Sequence, residues 1–97
     1  MKYKILFWEK INDDLVEIWD YIERMTFSKE KAEKIIKEIL SSIMILSSFP
    51  YMYQVFYKNY HSFTIKNKRI IYYIDENKKI VIIYRILWWF QNYENYL

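Results

Sequence analysis

The chain has no glycine and no cysteine, and only one proline and one histidine, in 97 residues. An average sequence carries about 7% glycine. Phosphate-cradling loops, dinucleotide fingerprints and nucleophile elbows need backbone that glycine alone adopts without steric cost, so nucleotide hydrolysis and α/β-hydrolase chemistry are disfavoured. Without cysteine there is no disulfide, thiol nucleophile or thiolate metal site, and His61 alone cannot build a histidine-rich metal centre. No metal ligand set and no cofactor are expected. Long apolar runs are missing too: Ile5 to Trp8 is too short for a signal-peptide core, and the run from Ile80 to Phe90 is broken by Arg85. A soluble cytoplasmic protein is the expectation.

What is present is a core-forming composition, 54% hydrophobic, 22% aromatic and 28% charged, in a length that suits one domain over residues 1–97. Net charge is +3, divided unevenly: residues 1–49 hold 8 basic and 9 acidic side chains, residues 50–97 hold 7 and 3. A basic C-terminal half suits nucleic acid or an acidic partner, and suits plain solubility equally well.

Residues 2–8 read as a strand. Asn12, followed by Asp13 and Asp14, reads as a helix start, and Leu15, Ile18, Trp19 and Ile22 recur at helical spacing to about Met25. Ser28 caps a second, longer helix with apolar positions Ala32, Ile35, Ile36, Ile39, Leu40, Ile43, Ile45 and Leu46. So short a link makes the two an antiparallel hairpin, and the helix carboxylates, interleaved with lysines, read as a solvated face. Pro50 ends the helical stretch. Residues 51–60 are half aromatic; strands follow at about 60–66, 69–74 and 79–88, with Asn67 and Lys68 in the first turn and Asp75 to Lys78 in the second. The order β-α-α-β-β-β gives an α+β fold, the helical hairpin packed on one face of a small, mainly antiparallel twisted sheet whose other face stays partly open.

Chemistry-bearing groups gather on the strands and the tail: His61, Lys66, Lys68, Arg69, Arg85, Tyr93 and Tyr96. Cations neutralise phosphates, rings stack on unpaired bases, and a cation beside a proton carrier suits metal-free RNA cleavage. Each has a plainer reading: Lys66 and Lys68 as turn solubility, Arg85 as an ion-pair partner in an apolar strand, His61 as filler. Trp88, Trp89 and Phe90 are three successive large rings on a strand, of which the core can take one or two, so a partner's cover is expected there.

DDLVEIWDYI, KAEKIIKEILSSIMILSSFP, KNKRIIYYIDENKKIVIIYRIL and QNYENYL, in this order and spacing, resemble the RelE/ParE superfamily of toxins from bacterial type II toxin-antitoxin and plasmid-stabilisation systems. The resemblance spans nearly the whole chain. It implies a growth-inhibiting toxin neutralised by a cognate antitoxin, acting either as a poison of DNA gyrase or as a ribosome-dependent mRNA endonuclease (mRNA interferase). A third reading is a non-toxic member that keeps only the interaction surface. Arg69 matches the family's strand arginine and Tyr96 its terminal tyrosine; His61 stands where many relatives carry Arg, and Trp88, Trp89 and Phe90 stand where they carry His-Gly-Arg. Arg69, His61, Arg85 and Tyr96 are the catalytic candidates for the nuclease reading, and Lys66, Lys68, Arg69, Arg85 and Tyr93 the candidates for target binding. The tail NYENYL resembles the ParE-like pattern, which places gyrase slightly ahead of the ribosome. The antitoxin is expected over Trp88, Trp89 and Phe90 and the outer surface of the helical hairpin.

Overall fold

Two helices form where the apolar period is helical, α1 over Ile11–Thr26 and α2 over Lys29–Met44. The computed structural model describes residues 2–97; Met1, the first residue of the expected 1–97 domain, lies outside the described residues. Ser28 caps α2 as expected, its Oγ accepting from Lys31 N at 3.1 Å. Asn12 does not cap α1. The cap position is Lys10, with no side-chain bond, and Asn12 lies inside the first turn, because the chain enters the helix one turn after β1 with Ile11 N donating to Trp8 O at 2.9 Å. A 3-10 turn at Ile45–Ser47 extends α2 toward Pro50.

Five strands form one sheet: β1 (Lys4–Phe7), β2 (Val55–Tyr57), β3 (Tyr60–Ile65), β4 (Lys68–Asp75) and β5 (Ile80–Trp88), in the order β1-β5-β4-β3-β2. β1 runs parallel to β5 and every other pairing is antiparallel. Parallel pairing follows from the helical crossover; the rest follows from short turns. The expected turn at Asn67 and Lys68 is displaced by one residue. Lys66 and Asn67, both at positive φ (50° and 63°), form a two-residue hairpin with Ile65 opposite Lys68, which moves Lys68 into β4. β2, a three-residue edge strand, was not expected, because its only pairing is irregular and its aromatic neighbours hide the alternation.

Ile18 and Ile22 of α1 and Ile39 and Ile43 of α2 pack with Ile70, Tyr72, Val81, Ile83 and Ile86 of the sheet into one apolar cluster. Each such side chain contributes about 1.5–3 kcal/mol on burial. The helices thus cover the side of β4 that carries Lys68, Ile70 and Tyr72; Arg69, Ile71 and Tyr73 point the other way.

Candidate functional site

The open side of the sheet is shaped by one irregularity. Ile71 pairs with Arg85 and Tyr72 with Ile83, so Tyr84 is an extra residue, and the bulge turns both Tyr84 and Arg85 away from the helices. Arg85 then reaches around to α1: its Nε and Nη2 donate to the Asp14 carboxylate at 2.9 and 2.7 Å. Asp14 Oδ2 also accepts from Ile86 N at 3.0 Å, so one carboxylate closes an unpaired stretch of β5 beyond the end of β1. Asp14 is buried, against the expectation that the helix carboxylates face water. The hydrogen bonds that Arg85 donates to the Asp14 carboxylate raise the Arg85 pKa. The signal was in the sequence: Asp14 lies one turn before Ile18 on the stripe that Ile11 and Ile22 share, so a carboxylate on an apolar stripe needed a cation, and Arg85 sat in an apolar strand.

Beyond β5 the chain folds back over this open side. Trp89 N donates to Asn67 O, Gln91 Oε1 accepts from Trp88 N at 2.7 Å, and Gln91 Nε2 donates to the Tyr96 hydroxyl at 2.9 Å. The Tyr96 ring lies 4.7 Å from the Arg85 guanidinium. Arg69 is held between two rings, Phe56 at 5.5 Å and Tyr93 at 5.4 Å, and forms no ion pair among the described residues. Further along the same face, Tyr60, Tyr73 and Tyr84 from three adjacent strands stand 5.4 to 6.3 Å apart, with Trp8 5.8 Å from Tyr84. Burial, then the neighbouring Tyr84 and Tyr73, raises the Tyr60 pKa. Sequence reasoning missed this tyrosine group; strand alternation at Tyr60 and Tyr73 was the available signal, and the bulge concealed Tyr84.

The expected single cluster of cations and rings is split across the sheet. Arg69, Arg85, Tyr93 and Tyr96 lie on the open side, whereas His61, Lys68 and Trp88 lie on the helix side. His61 is buried, stacked on Tyr72 at 5.0 Å, with Nδ1 donating to Tyr53 O at 2.8 Å, and the Tyr72 hydroxyl donates to Pro50 O at 2.9 Å. Its work is to pin the loop that follows Pro50. Lys68 is buried as well: Nζ donates to Lys66 O at 2.7 Å and sits 4.3 Å from the Trp88 ring centre, and burial, followed by Lys66, lowers its pKa. Lys66, at the exposed turn, pairs with Glu38 at 3.3 Å. Of the three expected anchor rings, Trp88 is half-buried against Tyr21 at 4.9 Å, while Trp89 and Phe90 are 64% and 67% exposed.

A second polar group lies at the far end of the sheet. Glu76 accepts from the Tyr3 hydroxyl at 2.8 and 3.0 Å and from the Tyr51 hydroxyl and Lys79 Nζ, joining the N-terminal strand, the loop after Pro50 and the β4–β5 turn. The bonds from Lys79, Tyr51 and Tyr3 draw the Glu76 carboxyl down to about 2, and the bond to Glu76 lifts the Tyr51 hydroxyl to about 12. Among the described residues no three His, Cys, Asp or Glu side chains gather where a metal ion could sit, and no helix is long and apolar enough to cross a membrane.

A family model described as ParE toxin of type II toxin-antitoxin system, parDE, matches residues 5–88. No curated protein matches the sequence. The fold is similar to that of the chromosomal ParDE toxin-antitoxin system from P. aeruginosa (TM-score 0.76, 17% identity, 90% of this chain and 96% of that chain). It is also similar to the RelBE2 toxin-antitoxin complex from Mycobacterium tuberculosis (0.64, 16% identity, 91% and 99%) and to a mutant of the E. coli toxin RelE in the free state (0.64, 10% identity, 90% and 83%). At these identities the likeness is one of fold.

Proposed function

Since the chain belongs to the ParE toxin family of type II toxin-antitoxin systems, we propose that it arrests bacterial growth by binding a macromolecular target across the open sheet face, with DNA gyrase ahead of the ribosome. One observation carries this reading: the groups that metal-free RNA cleavage would need do not converge. His61 is in the core on the opposite side, Arg85 is committed to Asp14, and the Tyr96 hydroxyl is committed to Gln91. A proton carrier must lie within hydrogen-bond reach of the reacting group, and none of these stands beside Arg69. Binding needs only the surface, and an arginine without an anion among the described residues, set between Phe56 and Tyr93 on the face that also carries Tyr60, Tyr73 and Tyr84, supplies charge and rings together.

A second reading, ribosome-dependent mRNA cleavage, draws on the same unpaired Arg69 and on the fold likeness to the RelE toxin. The antitoxin is proposed to cover the exposed Trp89 and Phe90 together with the outer surface of the helical hairpin, where the exposed Tyr21 of α1 meets Trp88 at 4.9 Å. Pulse incorporation of labelled thymidine and methionine just after induced expression tests the target. Early loss of thymidine incorporation is expected; early loss of methionine incorporation moves the target to the ribosome. If neither falls, the chain is a non-toxic member acting only as an interaction protein.

A further inference from the structure

The open side of the sheet is already occupied by the protein's own tail. Ile71 and Leu87 share that side with Arg69 and are 0% and 2% exposed, although no helix covers them. What lies over their neighbours is residues 92–97: Tyr93 packs 4.9 Å from Phe56 and 5.9 Å from Tyr57 with Arg69 beneath it, and Tyr96 packs on Arg85. This segment belongs to no strand. From Asn92 onward every backbone hydrogen bond given by the described residues stays inside the segment, among them Tyr96 N to Tyr93 O and Leu97 N to Tyr93 O. Its link to the rest is made by side chains, the Gln91 to Tyr96 bond and the two tyrosine rings.

We propose that residues 92–97 form a strap, hinged at Gln91, that occupies the target-binding face in the free protein and lifts to expose Arg69, Ile71 and Leu87. This rests on the reading of the open face as the target surface. The Tyr93 ring lies 5.4 Å from the Arg69 guanidinium, so an anion on the target that approaches from the strap's side competes with that ring for one place. Because the strap's backbone bonds are internal, it moves as a unit without opening the sheet.

The chain has three arginines, Arg24, Arg69 and Arg85, so labelling with phenylglyoxal, read by mass spectrometry, reports the strap with internal references. In the full chain Arg69 is expected to react severalfold more slowly than the exposed Arg24. In Tyr93→Ala, and in a chain ending at Gln91, it is expected to approach the Arg24 rate, while Tyr93→Phe keeps the protection. Arg85, still clamped by Asp14, stays slow in all of them and reports that the fold is intact. An Arg69 rate that is the same in the full chain and Tyr93→Ala overturns the strap. Growth arrest at matched expression then tests the competition: the opened chains are expected to arrest at lower expression. Loss of arrest in them, with Arg69 released, overturns the competition by making the tail part of the target surface. Arrest absent from the full chain and the opened chains alike, with Arg69 released as expected, counts against the proposed function and upholds the strap as a cover.

Discussion

Replacing Asp14 by alanine removes three hydrogen bonds at once, two from Arg85 at 2.9 and 2.7 Å and one from Ile86 N at 3.0 Å. Asp14 is 5% exposed, so the donors it leaves behind have little access to bulk water, and the orphaned Arg85 side chain is only 18% exposed. Breaking a buried pair from one side costs about 3–5 kcal/mol. Arg85 keeps a route to water and the Tyr96 ring, which places the cost at the lower end, about 3 kcal/mol. A domain of this size has about 5–15 kcal/mol in total, so the loss is large: more than about 10 °C in melting temperature, and about 1–2 M in the urea midpoint followed by circular dichroism. Removing both partners, as Asp14→Leu with Arg85→Met, leaves mainly the unmet Ile86 N–H, at about 1 kcal/mol. The double variant is therefore expected to be more stable than Asp14→Ala. Asp14→Ala within about 0.5 kcal/mol of the parent, or a double variant no better than the single one, refutes the account of Asp14 as a buried clamp.

Glu76 is expected to titrate near 2, because Lys79, Tyr51 and Tyr3 all stabilise its ionised form. Its folded pKa is lowered, so the stability it contributes is fully present above the ordinary glutamate value of 4.5 and is lost as pH falls through about 2; carboxyl-carbon NMR giving a midpoint near 4.5 contradicts this. Glu76→Gln should return the Tyr51 hydroxyl from about 12 toward 10, read from phenolate absorbance. Phe27 ends α1 in left-handed geometry (φ 55°, ψ 31°) while 93% exposed, so Phe27→Gly should stabilise the fold by about 1 kcal/mol; a lower melting temperature would show that the ring has a contact of its own. Trp89→Asp, at a 64% exposed position, should leave the melting temperature unchanged and weaken the antitoxin complex by more than about 1 kcal/mol in calorimetry, and an unchanged affinity would remove Trp89 from that interface.

The helical hairpin and the three long strands were legible in the sequence because each rests on a local signal, apolar residues at helical spacing on α1 and α2 and β-forming runs bounded by Asn67 and Asp75 where the chain turns, and the family was legible in four motifs taken in order. Local rules also set the limits. The turn at Lys66 and Asn67 was misplaced by one residue because lysine, too, takes positive φ when the hairpin demands it. The bulge at Tyr84 has no local signature, yet it decides that Arg85 leaves the helix side and finds Asp14, 71 residues away in sequence. Which face a strand residue occupies, and what covers that face, depends on register and on chain that arrives later. Thus His61 and Arg69, eight residues apart and alike as candidates, lie on opposite sides of the sheet, and the tail lies over one of them. The sequence by itself determined the two helices, the four longer strands, their order and the absence of glycine-built sites, since those follow from periodicity and backbone sterics. Tertiary structure alone decided that Arg85 is spent on Asp14 and Lys66 on Glu38 while Arg69 pairs with no anion among the described residues, since that is settled by distances between residues far apart in the chain.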